Sequence, residues 1–77
     1  MQRDAKAYLW DIANAADSIR AFTAGKDLAA YLEDDLLRAA VERKLQIISE
    51  AAIRLGSEAE QRCPDQPWRD IRGIAPF

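Results

Sequence analysis

Two apolar stripes with helical spacing dominate this chain, and each needs another helix to cover it. Between Arg3 and Ala24, the positions Tyr8, Ile12, Ala15, Ile19 and Phe22 alternate steps of four and three, with Leu9 and Ala16 widening the face. That is the period of an amphipathic helix. The second stripe is Leu37, Val41, Ile48, Ala51 and Leu55, flanked by Ala40, Leu45 and Ala52. It predicts a long helix opened by Asp34 or Asp35 and ending near Leu55, with carboxylates at its positive end and Arg54 at its negative one. Gly56-Ser57 closes it.

Between the stripes, Gly25 can take the left-handed conformation that stops a helix, and Asp27 is a good N-cap for a short helix from Leu28 to Glu33. After Ser57, the run from Glu58 to Arg62 adds a turn or two before Cys63-Pro64-Asp65-Gln66-Pro67 enforces a loop. Pro67 at a first helical position, followed by Trp68 and Ile71, starts a C-terminal helical stub that Gly73 and Pro76 weaken. The expected fold is all-α: an antiparallel bundle of two long helices, a short helix and the stub, in one domain over residues 1–77.

Size argues that such a bundle needs reinforcement. A 77-residue domain buries only about 60% of the surface its unfolded chain exposes, and a core this small rarely supplies more than roughly 3–5 kcal/mol. Cys63 is the only cysteine, so no internal disulfide can form, and a reducing cytoplasm is the expected location. With 49% hydrophobic residues, association into a homodimer or tetramer is the expected remedy. The 11 basic and 13 acidic side chains are interspersed, giving a net charge of -2 and no clustered basic face for nucleic acid. No apolar run approaches a membrane span, and Met1-Gln2-Arg3-Asp4 does not lead into a signal peptide.

Several residues depart from the stripes. Lys44 stands mid-stripe where a hydrophobe is expected; its stem can cover apolar surface while the ammonium reaches water or a carboxylate, or it marks an interface or cleft. Trp10 points away from its own stripe, and either rests against the segment from Leu28 to Glu33 or serves an interface. Ile53 is also off the main face. Together with Ile48 and Trp68, these make the interface candidates Trp10, Lys44, Ile48, Ile53 and Trp68, and Tyr31 is a weaker one. The acidic pairs Asp34-Asp35 and Glu58-Glu60 read as caps or solvated faces. No phosphate loop, nucleophile elbow or zinc-ligand spacing occurs, so no cofactor or metal is expected.

In order along the chain, Tyr8-Leu9-x-Asp11-Ile12, then Ala40-Val41-x-Arg43-x-Leu45-x-Ile47-Ile48-x-Glu50-Ala51, then Pro67-Trp68-Arg69-x-Ile71 resemble the HepT-like family of HEPN-type bacterial toxins. The match spans nearly the whole chain. Ser49 departs from the glycine common in the family at that position, which bears on any close backbone approach there.

The resemblance implies a dimerising helical bundle that cleaves RNA without a metal and is neutralised by a minimal nucleotidyltransferase antitoxin. It implies an Arg-x4-6-His-x-Tyr motif, in which an imidazole moves protons near neutral pH and a guanidinium stabilises phosphate charge. The family Arg falls seven residues after Trp68, which is Ala75 here; the His and Tyr would fall beyond Phe77, and the chain contains no histidine. Counting from Arg72 instead puts Phe77 at the histidine position. The expectation is therefore a truncated family member that does not cleave RNA. Glu50 and Arg72 are the only weak polar candidates, with Glu50 expected in a salt bridge. The alternative is a metal-independent endoribonuclease toxin whose active-site segment is lost from this chain.

Overall fold

A computed structural model describes residues 4–74. Five helices occur among these residues: α1 (Ala5–Thr23), α2 (Leu28–Glu33), α3 (Asp35–Leu55), α4 (Glu58–Arg62) and α5 (Trp68–Arg72). The expected helix start at Arg3 lies outside the described residues, as do Ala75, Pro76 and Phe77.

Carboxylates open the first three helices. Asp4 Oδ1 accepts from the Lys6 amide at 3.0 Å, Asp27 from Ala30 at 2.8 Å and Asp34 from Leu37 at 2.9 Å. Each satisfies an amide that the helix itself leaves without a partner. The stops lie at glycines with positive φ, Gly25 at 73° and Gly56 at 60°, a region that costs glycine little. Pro67 is one position earlier than expected: it caps α5 and Trp68 is the first helical residue.

The two long helices pair antiparallel. Tyr8, Leu9 and Ile12 near the start of α1 pack against a buried cluster that includes Ala52 and Leu55 near the end of α3. At the other end, Phe22 meets Leu36, Leu37 and Ala40. The α3 stripe is buried at Leu37, Val41, Ile48, Ala51 and Leu55, as its spacing requires. On α1 only Ala15 is fully buried, because a single long neighbour covers one narrow strip of the helix. The Cα radius of gyration, 13.6 Å, exceeds the roughly 11–12 Å of a compact domain of this length. The fold is an all-α bundle, drawn out along its helical pair.

Candidate functional site

The densest polar construction lies where the end of α3 meets α4 and α5. Trp68 anchors it, 5% exposed, against Ala52, Leu55 and Ala59. The small side chains of Ala52 and Ala59 leave room for the indole, whose Nε1–H donates to the Cys63 carbonyl at 2.8 Å. A buried indole needs such a partner.

One α-helical turn further on, Arg72 joins all three elements. Its Nε–H donates to the Ala52 carbonyl at 3.3 Å, and its second terminal nitrogen donates to the Gly56 carbonyl at 2.9 Å. Both carbonyls belong to the end of α3, where cations are favoured. The guanidinium also grips the Glu60 carboxylate with contacts at 2.8 and 3.2 Å. That hydrogen bond, helped by the Glu60 backbone amide, holds the Glu60 carboxyl below the usual range; the same contact raises the Arg72 value. From the opposite side, Ser49 Oγ donates to the Arg72 carbonyl at 2.6 Å. The serine that stands where the resemblance expects glycine thus forms a bridge from α3 to α5.

This arrangement fixes the roles of the sequence candidates. Arg72 is engaged by two backbone carbonyls and a carboxylate, so it is a joint between helices. Glu50 is exposed and forms no salt bridge among the described residues, in contrast to the pairing expected for it. Among the interface candidates, Trp68 and Ile48 are corrected: both are buried in the chain's own core and are not free for a partner. Apolar surface around Ile48 is covered by the pairing of α1 with α3. Lys44 is half-buried on the α3 face shared with Val41 and Ile48, and has no ion pair among the described residues. Trp10 is 69% exposed and Ile53 58% exposed. Tyr31 is half-buried.

The antiparallel pairing also creates a feature not singled out in the sequence. A cleft of about 480 Å³ opens between the start of α1 and the α3–α4 turn, lined by Ala5, Tyr8, Arg54, Leu55, Gly56, Ser57 and Glu58. Glu58 pairs with Arg62 at 3.1 Å. Tyr8 and Arg54 are 46 positions apart in sequence, and only the direction of the helix pairing brings them together. The cleft offers a guanidinium, hydroxyls and a carboxylate, and no imidazole.

Comparison with known proteins agrees with the ordered motifs. The model of the family described as "Ribonuclease HepT-like" matches residues 12–75. "Putative RNase MJ1380" of Methanocaldococcus jannaschii is 33% identical over 73 residues, 95% of this chain and 67% of that protein. "Putative RNase MJ0125" of the same organism is 30% identical, covering 95% of this chain and 63% of that protein. "Probable ribonuclease HepT" of Thermococcus cleftensis is 37% identical over 71 residues, 92% of this chain and 64% of that protein. The chain thus spans about two thirds of the length of these curated relatives. No solved structure matches. With five-sixths of its length under the family model and relatives of this similarity, the chain belongs to the ribonuclease HepT-like family.

Proposed function

We propose that these 77 residues form the helical platform of a HepT-like toxin and do not themselves cleave RNA. The observation that carries this reading is the absence of histidine from a chain of this family. No other side chain has an ordinary pKa that places it between pH 5 and 8, where a base must accept the 2′-hydroxyl proton and an acid return one to the leaving oxygen. The proposed setting is a cytoplasmic toxin–antitoxin pair, with a minimal nucleotidyltransferase as antitoxin and a homo-oligomer as the working form. The extended shape supports association, since a drawn-out pair of helices leaves apolar surface that a second copy can cover.

The test is an RNA-cleavage assay on the purified chain, with a longer family member as positive control. No cleavage above buffer is expected. Cleavage that is lost on Glu50→Gln, an exposed change that leaves the core intact, overturns the proposal. Co-expression with a nucleotidyltransferase encoded beside the gene should yield a complex, and its failure to form removes the antitoxin assignment.

A second reading is favoured by the greater length of relatives that carry ribonuclease names. In it, the domain is the N-terminal part of a metal-independent endoribonuclease toxin whose catalytic Arg, His and Tyr stand in a longer polypeptide. Reading the DNA after the codon for Phe77 decides it: an Arg-x4-6-His-x-Tyr in any frame supports this version, and its absence rules it out.

A further inference from the structure

The cleft between the start of α1 and the α3–α4 turn, about 480 Å³ in volume, falls in the size range of small-molecule sites. Its floor is apolar: Leu55 belongs to the buried cluster, and Ala5 and Tyr8 pack half-buried against it. Its rim is polar and exposed, with Arg54, Ser57 and Glu58. The backbone under the rim is tied down from behind. Gly56, at a φ of 60°, donates to the Ala52 and Ile53 carbonyls, and its own carbonyl accepts from Arg72. The cleft therefore exists before anything enters it, and a ligand does not have to order the turn.

The charges of the rim are unequally committed. Glu58 is engaged by Arg62 at 3.1 Å. Arg54 has neither an ion pair nor a side-chain hydrogen bond among the described residues, and the Ser57 hydroxyl forms no cap bond to α4. What the cleft offers an entrant is thus one free guanidinium, one hydroxyl and an apolar floor with an aromatic ring. A guanidinium presents a planar fork of donors that fits two oxygens of a carboxylate or a phosphate. The surroundings separate these two. A phosphate monoester carries about -1.5 to -2 charges, and it would meet one free cation beside the Glu58 carboxylate and the negative end of α3. A carboxylate carries a single charge, which Arg54 alone balances. The floor of Ala5, Tyr8 and Leu55 favours a flat apolar body behind that carboxylate.

We propose that this cleft binds a small aromatic carboxylate, with the carboxylate on Arg54 and Ser57 and the ring against Tyr8 and Leu55. The site goes beyond the platform reading above and does not depend on it. Heteronuclear NMR titration of the 77-residue chain at low salt tests it, with naphthoate, naphthyl phosphate and naphthylmethanol as probes that share one ring system. Naphthoate should shift the amide signals of residues 5–8 and 54–58 saturably, with a Kd on the order of 1 mM for a ligand of its size. Naphthylmethanol should bind about tenfold more weakly, and naphthyl phosphate about threefold. Arg54→Gln should weaken naphthoate about tenfold and Ser57→Ala about threefold. Glu58→Gln should improve the phosphate more than the carboxylate. Arg20→Gln, an exposed change on α1 at a residue paired with Asp17, should alter nothing. All these positions are exposed, so circular dichroism should show the same helical signal throughout. The absence of a saturable shift, or shifts centred elsewhere, overturns the site. Naphthylmethanol binding as tightly as naphthoate, or Arg54→Gln without loss, overturns recognition by the guanidinium. Tighter binding of the phosphate to the wild type overturns the choice of a singly charged ligand.

Discussion

Ser49 offers the sharpest test of how α5 is held. Its hydroxyl is buried within α3 and donates to the Arg72 carbonyl at 2.6 Å. Replacing it with alanine removes a hydrogen bond worth about 1 kcal/mol and leaves the carbonyl without that donor, a loss of up to about 3 kcal/mol if water does not reach it. Alanine returns about 0.5 kcal/mol through its better helix propensity, so Ser49→Ala should destabilise by roughly 1 kcal/mol. Ser49→Gly, which installs the residue that the resemblance expects, loses the same bond and adds a glycine penalty. It should lie about 1 kcal/mol below the alanine variant. In a domain of this size each kcal/mol corresponds to about 4–8 °C in Tm. Urea and thermal unfolding followed by far-ultraviolet circular dichroism would read both, at one fixed protein concentration because association adds stability by mass action. The reasoning is refuted if Ser49→Ala is neutral or stabilising while Ser49→Gly falls by the propensity difference alone. The bridge would then have no net value, and α5 would be held by Trp68 and Arg72.

Other outcomes follow from the same geometry. The Glu60 carboxyl is held below its ordinary value of 4.5 by Arg72, so its contribution is fully present above about pH 4.5 and lost as pH falls through the lower folded value. Glu60→Gln should therefore be less stable than wild type at pH 7, and the difference should close on acidification; a gap that stays constant with pH would show that the ion pair is not its source. Trp68→Phe removes the indole donor to Cys63 and leaves a small void. It should cost about 2 kcal/mol in urea unfolding, and a change below about 0.5 kcal/mol would mean that the carbonyl finds another donor. Asp34→Ala removes the cap of α3 and should cost about 1 kcal/mol. The neighbouring Asp35→Ala, which loses only an exposed pair with Arg38, should stay within about 0.5 kcal/mol of wild type.

The helices were legible in the sequence because the features that set them are local. The four-and-three spacing fixed the buried side of α3 from Leu37 to Leu55, and Asp27, Asp34, Gly25 and Gly56 marked the ends. Trp68 was read as a surface contact for a physical reason: nothing near it in sequence says that Ala52 and Ala59, both fully enclosed, leave a slot of indole width. The Arg72 junction was invisible for the same reason. Its partners lie 12 to 23 positions away, on two other helices, and no spacing rule links an arginine to carbonyls at that distance. Ser49 did carry a signal, as a serine where the resemblance expects glycine, although its meaning required the position of α5. The cleft beside Tyr8 and Arg54 likewise depended on helix direction rather than on any motif.

The two ends of the helical pair are finished in different ways, which accounts for the uneven burial of α1. Near the end of α3, Trp68, Ala59 and the Arg72 junction add a third layer, and Tyr8, Leu9 and Ile12 pack onto the core there. Near the start of α3 the only addition among the described residues is α2, which has no fully buried residue, and Phe22 and Leu36 stay in contact with water. The same α1 stripe therefore meets a complete core at one end and an open one at the other. Substitutions at the closed end should act strongly on the stability of the chain, whereas those at exposed positions around α2 should change it little. Any device that covers α2 would stabilise the weaker end without touching the Ser49–Arg72–Glu60 connection, so the two sets of variants should combine additively.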